Sequence, residues 1–121
     1  MNKHPVVHFE IGCHQAENTK NFFAQLFDWE ISGRDAGMMI NTGGAEDITG
    51  HIVELAPEWG TYMTIYVEVE DLDVYLKKAS ELGGKALVEP VTLPGQGSFA
   101  WLADPEGNII GIWKPEGESA T

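Results

Sequence analysis

Hydrophobic and polar positions along the chain repeat one arrangement twice, about 56 residues apart. In the first copy an alternating segment near 6–11 predicts a strand, and the 3.6-residue spacing over 17–27 predicts a helix. In the second copy a strand near 63–69 leads into a helix that begins after Asp71 and ends at Gly83-Gly84. A repeat of this length indicates two copies of one supersecondary unit.

Three short strands are expected after each helix, so that the order in each copy is strand, helix, strand, strand, strand. This order predicts an α+β fold in which two βαβββ modules form a curved mixed sheet around a central cavity. The predicted boundaries are a single domain over 1–121, module 1 at about 5–56, module 2 at about 60–115 and a tail at 116–121. The later strands are expected near 29–33, 37–42 and 50–55, and near 85–89, 97–103 and 108–114.

Alternation along the first strand of each module separates an apolar face from a mixed one. His8 and Glu10 share the mixed face of the first module, and Thr64 and Tyr66 share that of the second. The apolar faces are expected to pack under the helices. The mixed faces line the cavity or face solvent, and the two tryptophans on neighbouring strands, Trp101 and Trp113, favour a cavity.

Charge and composition limit the partners. The 121 residues include 43% hydrophobic residues, with seven Lys and Arg against 19 Asp and Glu, for a formal net charge of −12. Such a field repels phosphate backbones and anionic lipids, so neither nucleic acid nor membrane is an expected partner. The N-terminal segment lacks the apolar core of a secretory signal, and a cytoplasmic location is expected.

His8 and Glu10 are the candidate catalytic residues. An imidazole has a pKa suited to proton transfer at neutral pH, and a carboxylate two residues away on the same face can orient it. The alternative is a partly buried histidine that only hydrogen-bonds to its neighbour. Both interpretations stay open at the level of sequence.

Several segments together resemble the vicinal oxygen chelate superfamily, which includes glyoxalase I, bleomycin-resistance proteins, fosfomycin-resistance enzymes and extradiol dioxygenases. The resemblance runs from about His4 to Pro115. The segments that carry it are His8-Phe9-Glu10-Ile11, Phe22-Phe23 with Leu26-Phe27-Asp28-Trp29, Gly83-Gly84 and Asp104-Pro105-Glu106-Gly107-Asn108.

The resemblance implies a divalent metal, such as zinc, nickel, iron or manganese, held by residues from the first and last strand of each module. His8 falls on one ligand position, and either His51 or Glu54 falls on a second. The remaining two positions fall on Thr64, a poor ligand, and on Gly111, which has no side chain to offer. The implied metal site is therefore incomplete.

The resemblance therefore favours a protein that binds a small aromatic or cationic compound in the sheet cavity. The alternative is a metal-dependent lyase, isomerase or dioxygenase of the glyoxalase type that uses His8; a module that serves only in protein interactions is a third possibility. A homodimer is implied as well. The residues expected to contact the ligand are His51, Thr64, Tyr66, Trp101, Gly111 and Trp113.

Overall fold

The structure is a computed structural model that describes residues 3–33, 37–44 and 48–116. Within these residues, ten elements follow the order expected from the sequence, with two βαβββ modules in an α+β fold of mixed strand pairing, which confirms the predicted fold class. The elements are β1 (Val6–Cys13), α1 (Ala16–Phe27), β2 (Glu30–Ser32), β3 (Met38–Asn41), β4 (Thr49–Glu54), β5 (Tyr62–Glu68), α2 (Leu72–Glu81), β6 (Lys85–Leu93), β7 (Gly97–Ala103) and β8 (Ile109–Pro115).

The chain divides into two compact units. The first unit is His8–Thr64, and the second unit is Met1–Val7 together with Ile65–Thr121. In the first unit the strand order is β2-β3-β4-β1, with β1 and β4 parallel and the other pairs antiparallel. In the second unit the order is β5-β8-β7-β6, with β5 and β8 parallel. The same pairing pattern therefore occurs in both copies.

Each unit has its own apolar core between its strands and its helix. The core of the first unit comprises Ile11, Cys13, Ala16, Met38, Ile40 and Ile52. The core of the second unit comprises Val69, Leu72, Leu76, Ala100 and Ile112. Since residues alternate along a strand, these cores place the intervening residues of β1, β4, β5 and β8 on the opposite faces.

The ends of α2 follow the sequence signals. The Asp71 carboxylate accepts a hydrogen bond from the Val74 amide at 3.1 Å, as an N-cap does. At the other end Gly83 has a φ of +99°, and the Gly84 amide donates to the Ala79 carbonyl at 2.8 Å. These bonds close the helix with a Schellman motif, in which glycine adopts the left-handed conformation at low cost.

The first helix departs from the simple expectation. Phe23 packs against the core of the first unit, but Phe22, Leu26 and Phe27 are each more than half exposed. The Phe23 ring contacts the rings of Phe22 and Phe27, yet of these four side chains only Phe23 packs against the core below α1. Within the part of the chain that the structure describes, neither helix is long and apolar enough to cross a bilayer.

Candidate functional site

Parallel pairing of β1 with β4 brings four polar side chains onto one face of the first unit. Glu10 lies opposite His51 in the register, and His8 lies opposite Thr49. The neighbouring residues Phe9 and Ile52 belong to the side that packs beneath α1. The polar set therefore occupies the face away from the helix.

These side chains form a continuous hydrogen-bonded series, which we call the polar chain. The Nδ1 atom of His8 lies 2.7 Å from Oγ1 of Thr49, and its Nε2 atom lies 2.6 Å from Nδ1 of His51. The Nε2 atom of His51 lies 3.1 Å from Oε1 of Glu10. The hydroxyl of Tyr62 donates to Oε2 of the same carboxylate. The polar chain is thus Thr49, His8, His51, Glu10 and Tyr62.

Burial increases along the polar chain from Thr49 to Glu10. Thr49 is exposed and His51 retains 25% of its side-chain exposure, whereas Glu10 is 5% exposed. A buried carboxylate is tolerated only when donors surround it, and His51 and Tyr62 supply two of them. Tyr62 reaches Glu10 because its ring lies against Gly12, where a Cβ atom would overlap the ring carbons.

The environment lowers the pKa of His8 from 6.5 to about 4. Burial, which disfavours the charged ring, is the largest cause; the neighbouring His51 acts in the same direction, and Glu10 opposes both. His8 is therefore neutral at physiological pH. A ring with so low a pKa is a poor proton acceptor by itself, but it is a good neutral hydrogen-bonding partner.

The polar chain contains donor types that suit a divalent transition metal, namely two imidazoles and one carboxylate. Their geometry does not suit one ion. His51 directs one ring nitrogen at His8 and the other at Glu10, so the three residues do not converge on one point. An ion bound by both imidazoles would hold their nitrogens roughly 3.3 Å apart at tetrahedral angles, whereas the hydrogen bond holds them at 2.6 Å.

Across residues 3–33, 37–44 and 48–116, no group of three or more His, Cys, Asp or Glu side chains is placed to hold a metal. The side chains as arranged do not fit the metal that the resemblance implies. Coordination by His8 and His51 would first require the hydrogen bond between them to break.

The structure distinguishes the two candidates on β4. His51 joins His8 and Glu10, whereas Oε1 of Glu54 accepts a hydrogen bond from the Ala16 amide at 2.9 Å. Ala16 is the first residue of α1, and Gln15 before it makes no side-chain cap. Glu54 therefore caps this helix from a neighbouring strand, where its charge also complements the helix dipole.

The remaining sequence-predicted residues lie on β5, β7 and β8, and they stay predictions as ligand contacts. In the second unit, Nε1 of Trp101 donates to the Tyr66 hydroxyl at 2.8 Å, and the Tyr66 ring lies against Gly111. Tyr66 is buried, and Trp101 and Trp113 are partly buried. Thr64, at the end of the first unit, is also buried.

Sequence reasoning missed Tyr62 and Thr49. Tyr62 lies just before the predicted start of β5, and its partner is 52 positions away. One signal was present: Gly12 shares a face with His8 and Glu10, and a strand glycine leaves room for a large ring from a neighbouring strand. Thr49 lies beside His8 because of the register in which β1 and β4 pair, and the local sequence pattern does not determine that register.

Comparison with known proteins places residues 7–112 on the family model described as a glyoxalase-like domain. Among curated proteins, CFP32 of Mycobacterium bovis, named a putative glyoxylase, is 33% identical over 86 residues, which cover 71% of this chain. The chain spans about a third of the length of that relative.

Two solved structures illustrate the likeness of fold. Methylmalonyl-CoA epimerase from Mycobacterium tuberculosis matches with a TM-score of 0.68 and 12% identity, covering 95% of this chain and 90% of the other. The Mn(II)-bound glyoxalase from Novosphingobium aromaticivorans matches with a TM-score of 0.63 and 18% identity, covering 93% and 40%. At these identities the likeness concerns the fold alone.

Proposed function

This chain belongs to the glyoxalase-like domain family of the vicinal oxygen chelate superfamily, and on that premise we propose that it binds a small, uncharged or cationic molecule through the polar chain. The observation that supports the proposal most strongly is that His8 is neutral and is hydrogen-bonded on one ring nitrogen to the exposed Thr49 hydroxyl and on the other to His51, which contacts the buried Glu10 carboxylate. The contact point for the ligand is the pair formed by Thr49 and His8.

Charge narrows the class of ligand. Neither member of the contact pair carries a charge at neutral pH, and the carboxylate of Glu10 lies buried behind them. The protein as a whole carries a formal charge of −12. An anionic ligand would meet a repulsive field without a cation to receive it, so neutral or cationic molecules with hydroxyl or amino groups are favoured.

The observation that favours an enzyme is the contact between His51 and Glu10, a carboxylate paired with an imidazole at 3.1 Å. Such a pair can take a proton from a carbon next to a carbonyl, with the carboxylate stabilising the imidazolium. This second candidate requires the contact between His51 and His8 to open, because His8 faces the nitrogen that would act as the base.

Catechol is a suitable first probe, because it is small, uncharged at neutral pH and has vicinal hydroxyl groups. We expect catechol to perturb the NMR resonances of His8 and Thr49, and Thr49→Val to weaken binding about tenfold. Thr92→Val is the matched control, since the Thr92 hydroxyl contacts Ser98 in the second unit. Absence of perturbation at His8 and Thr49 would overturn the proposal.

The enzymatic candidate has its own assay. Hydroxyacetone carries exchangeable protons beside its carbonyl, and its deuterium uptake from D₂O can be followed by proton NMR. Protein-dependent uptake that disappears in Glu10→Gln would favour proton transfer over binding alone. Uptake no faster than in buffer would eliminate this candidate for hydroxyacetone.

A further inference from the structure

Tyr62 is the last residue of the polar chain and contacts its most buried member, Glu10. Its ring is fixed against Gly12, and its hydroxyl donates to one oxygen of the Glu10 carboxylate while His51 contacts the other. Neither sequence motif nor family resemblance singled out this tyrosine. Its position suggests a role beyond filling space, because its hydroxyl and His51 contact opposite oxygens and together hold the plane of the Glu10 carboxylate.

The direction of the hydrogen bonds follows from the carboxylate. An ionised carboxylate only accepts, so Nε2 of His51 must donate to it. In a neutral imidazole the other nitrogen is then an acceptor, so Nδ1 of His51 accepts a hydrogen bond from the Nε2–H group of His8. By the same logic Nδ1 of His8 accepts from the Thr49 hydroxyl. When both rings are neutral, both carry their proton on Nε2.

We propose that Glu10, oriented by Tyr62, sets the tautomers of His51 and His8 and thereby the kind of ligand that the site accepts. A ligand group that takes the place of the Thr49 hydroxyl at Nδ1 of His8 must donate a proton of its own, while the Thr49 hydroxyl turns to donate to the ligand. The site therefore selects hydroxyl, amine or ammonium groups over carbonyl and ether oxygens. Tyr62 is a positioning residue in this account, because it acts through Glu10.

The decisive test is Glu10→Gln, examined without ligand. A phenol hydroxyl can donate or accept; in the proposal Tyr62 keeps donating, as it does to the carboxylate, so the amide oxygen faces Tyr62 and the amide NH₂ group donates to His51. The three hydrogen bonds that link position 10 to His51, His51 to His8 and His8 to Thr49 would then reverse. At a pH where ¹⁵N shifts show both rings to be neutral, we expect the proton to be on Nε2 in both wild-type rings and on Nδ1 in the variant.

The role of Tyr62 is tested by adding Tyr62→Phe to Glu10→Gln. Without the hydroxyl the amide loses its preferred orientation, so we expect both tautomers to be present. Tyr75→Phe is the matched control, because that hydroxyl contacts His4 and Glu70 in the second unit. Wild-type rings protonated on Nδ1, or no reversal in Glu10→Gln, would overturn the proposal. If the tautomers were fully reversed in the double variant as well, Tyr62 would not be the residue that orients the side chain at position 10.

Ligand selection rests on the proposed function and needs a separate measurement. Catechol should bind the wild-type protein at least tenfold more tightly than 1,2-dimethoxybenzene, which has the same oxygens without protons. In Glu10→Gln, where His8 would donate from Nδ1, this preference should shrink or reverse. Equal affinities in the wild type would contradict the selection rule, even if the tautomers were as expected. If neither compound bound, the binding function itself would fail and the tautomer result would stand.

Discussion

The aromatic ring of Tyr66 lies directly against Gly111, its register partner on the neighbouring parallel strand. A Cβ atom at position 111 would overlap ring carbons of Tyr66. The space at this position, which the family resemblance assigns to a metal ligand, is therefore taken up by a ring from the adjacent strand. Glycine is required here for space rather than for backbone conformation.

This overlap makes Gly111→Ala a sharp probe of packing. Because Tyr66 is buried, the ring cannot move freely, and we expect a loss of about 1–3 kcal/mol in the free energy of unfolding. Chemical denaturation measures it. Gly60→Ala is the control, since no atom lies within 4 Å of a Cβ there, and it should change stability by less than about 0.5 kcal/mol. If Tyr66→Ala failed to reduce the cost of Gly111→Ala, the overlap would not be its cause.

The lowered pKa of His8 predicts a specific pH dependence. Above pH 6.5 the ring is neutral in both the folded and the unfolded protein. As the pH falls from 6.5 towards about 4, the unfolded chain binds the proton and the folded protein does not, so the free energy of unfolding decreases. Allowing for partial exposure of the ring, we expect the free energy of unfolding to decrease by about 1–2 kcal/mol over this pH range.

The comparison that isolates this effect is wild type against His8→Gln, which lacks the titrating ring but shares every other acid and base. The decrease between pH 7 and pH 4 should be smaller in the variant. An NMR titration of the His8 ring gives a direct reading, with a midpoint near pH 4. A midpoint at the ordinary histidine value would refute the buried, neutral assignment.

Glu54 is expected to matter for stability through α1. Removing its carboxylate in Glu54→Ala leaves the Ala16 amide without this acceptor, and loss of a helix cap costs about 0.5–2 kcal/mol. The unfolding free energy measures the change. Glu58→Ala, an exposed glutamate in the following turn, serves as the control. Equal effects of the two substitutions would mean that the cap contributes nothing.

Tyr62→Phe should destabilise the first unit although it removes a single oxygen atom. The lost hydrogen bond is to a buried carboxylate, and bonds to charged groups contribute about 1.5–3 kcal/mol. Tyr75→Phe removes a hydroxyl that bonds to the exposed Glu70, and it should cost less than about 1 kcal/mol. Thermal and chemical denaturation compare the two variants, and an equal cost would argue against a buried charge at Glu10.

The fold could be predicted from sequence because its signals are local. Alternation, helical spacing, the Asp71 cap and the Gly83-Gly84 stop each depend on residues near one another in the chain. Strand ends were less well defined: β1 extends to Cys13 and β6 extends to Leu93, beyond the expected boundaries. Strands of this kind end where pairing ends, and pairing depends on distant partners.

The candidate site was predictable only in part. Period-two alternation placed His8 and Glu10 on one face, and the structure brings both together with His51. The choice between His51 and Glu54 required the β1 to β4 register, since either residue was compatible with the local pattern. Tyr62 could not be predicted because its contact with Glu10 joins two strands that are far apart in sequence and depends on the space that Gly12 leaves for the ring.

Equivalent register positions in the two modules hold chemically different pairs of residues. Glu10 faces His51 across the parallel pair of the first module, whereas Tyr66 faces Gly111 across that of the second. The repeat is therefore symmetric in its backbone and asymmetric in its chemistry. A saturation scan of the gene should show no twofold pattern here: one half would be intolerant of lost proton donors and acceptors, and the other of added bulk.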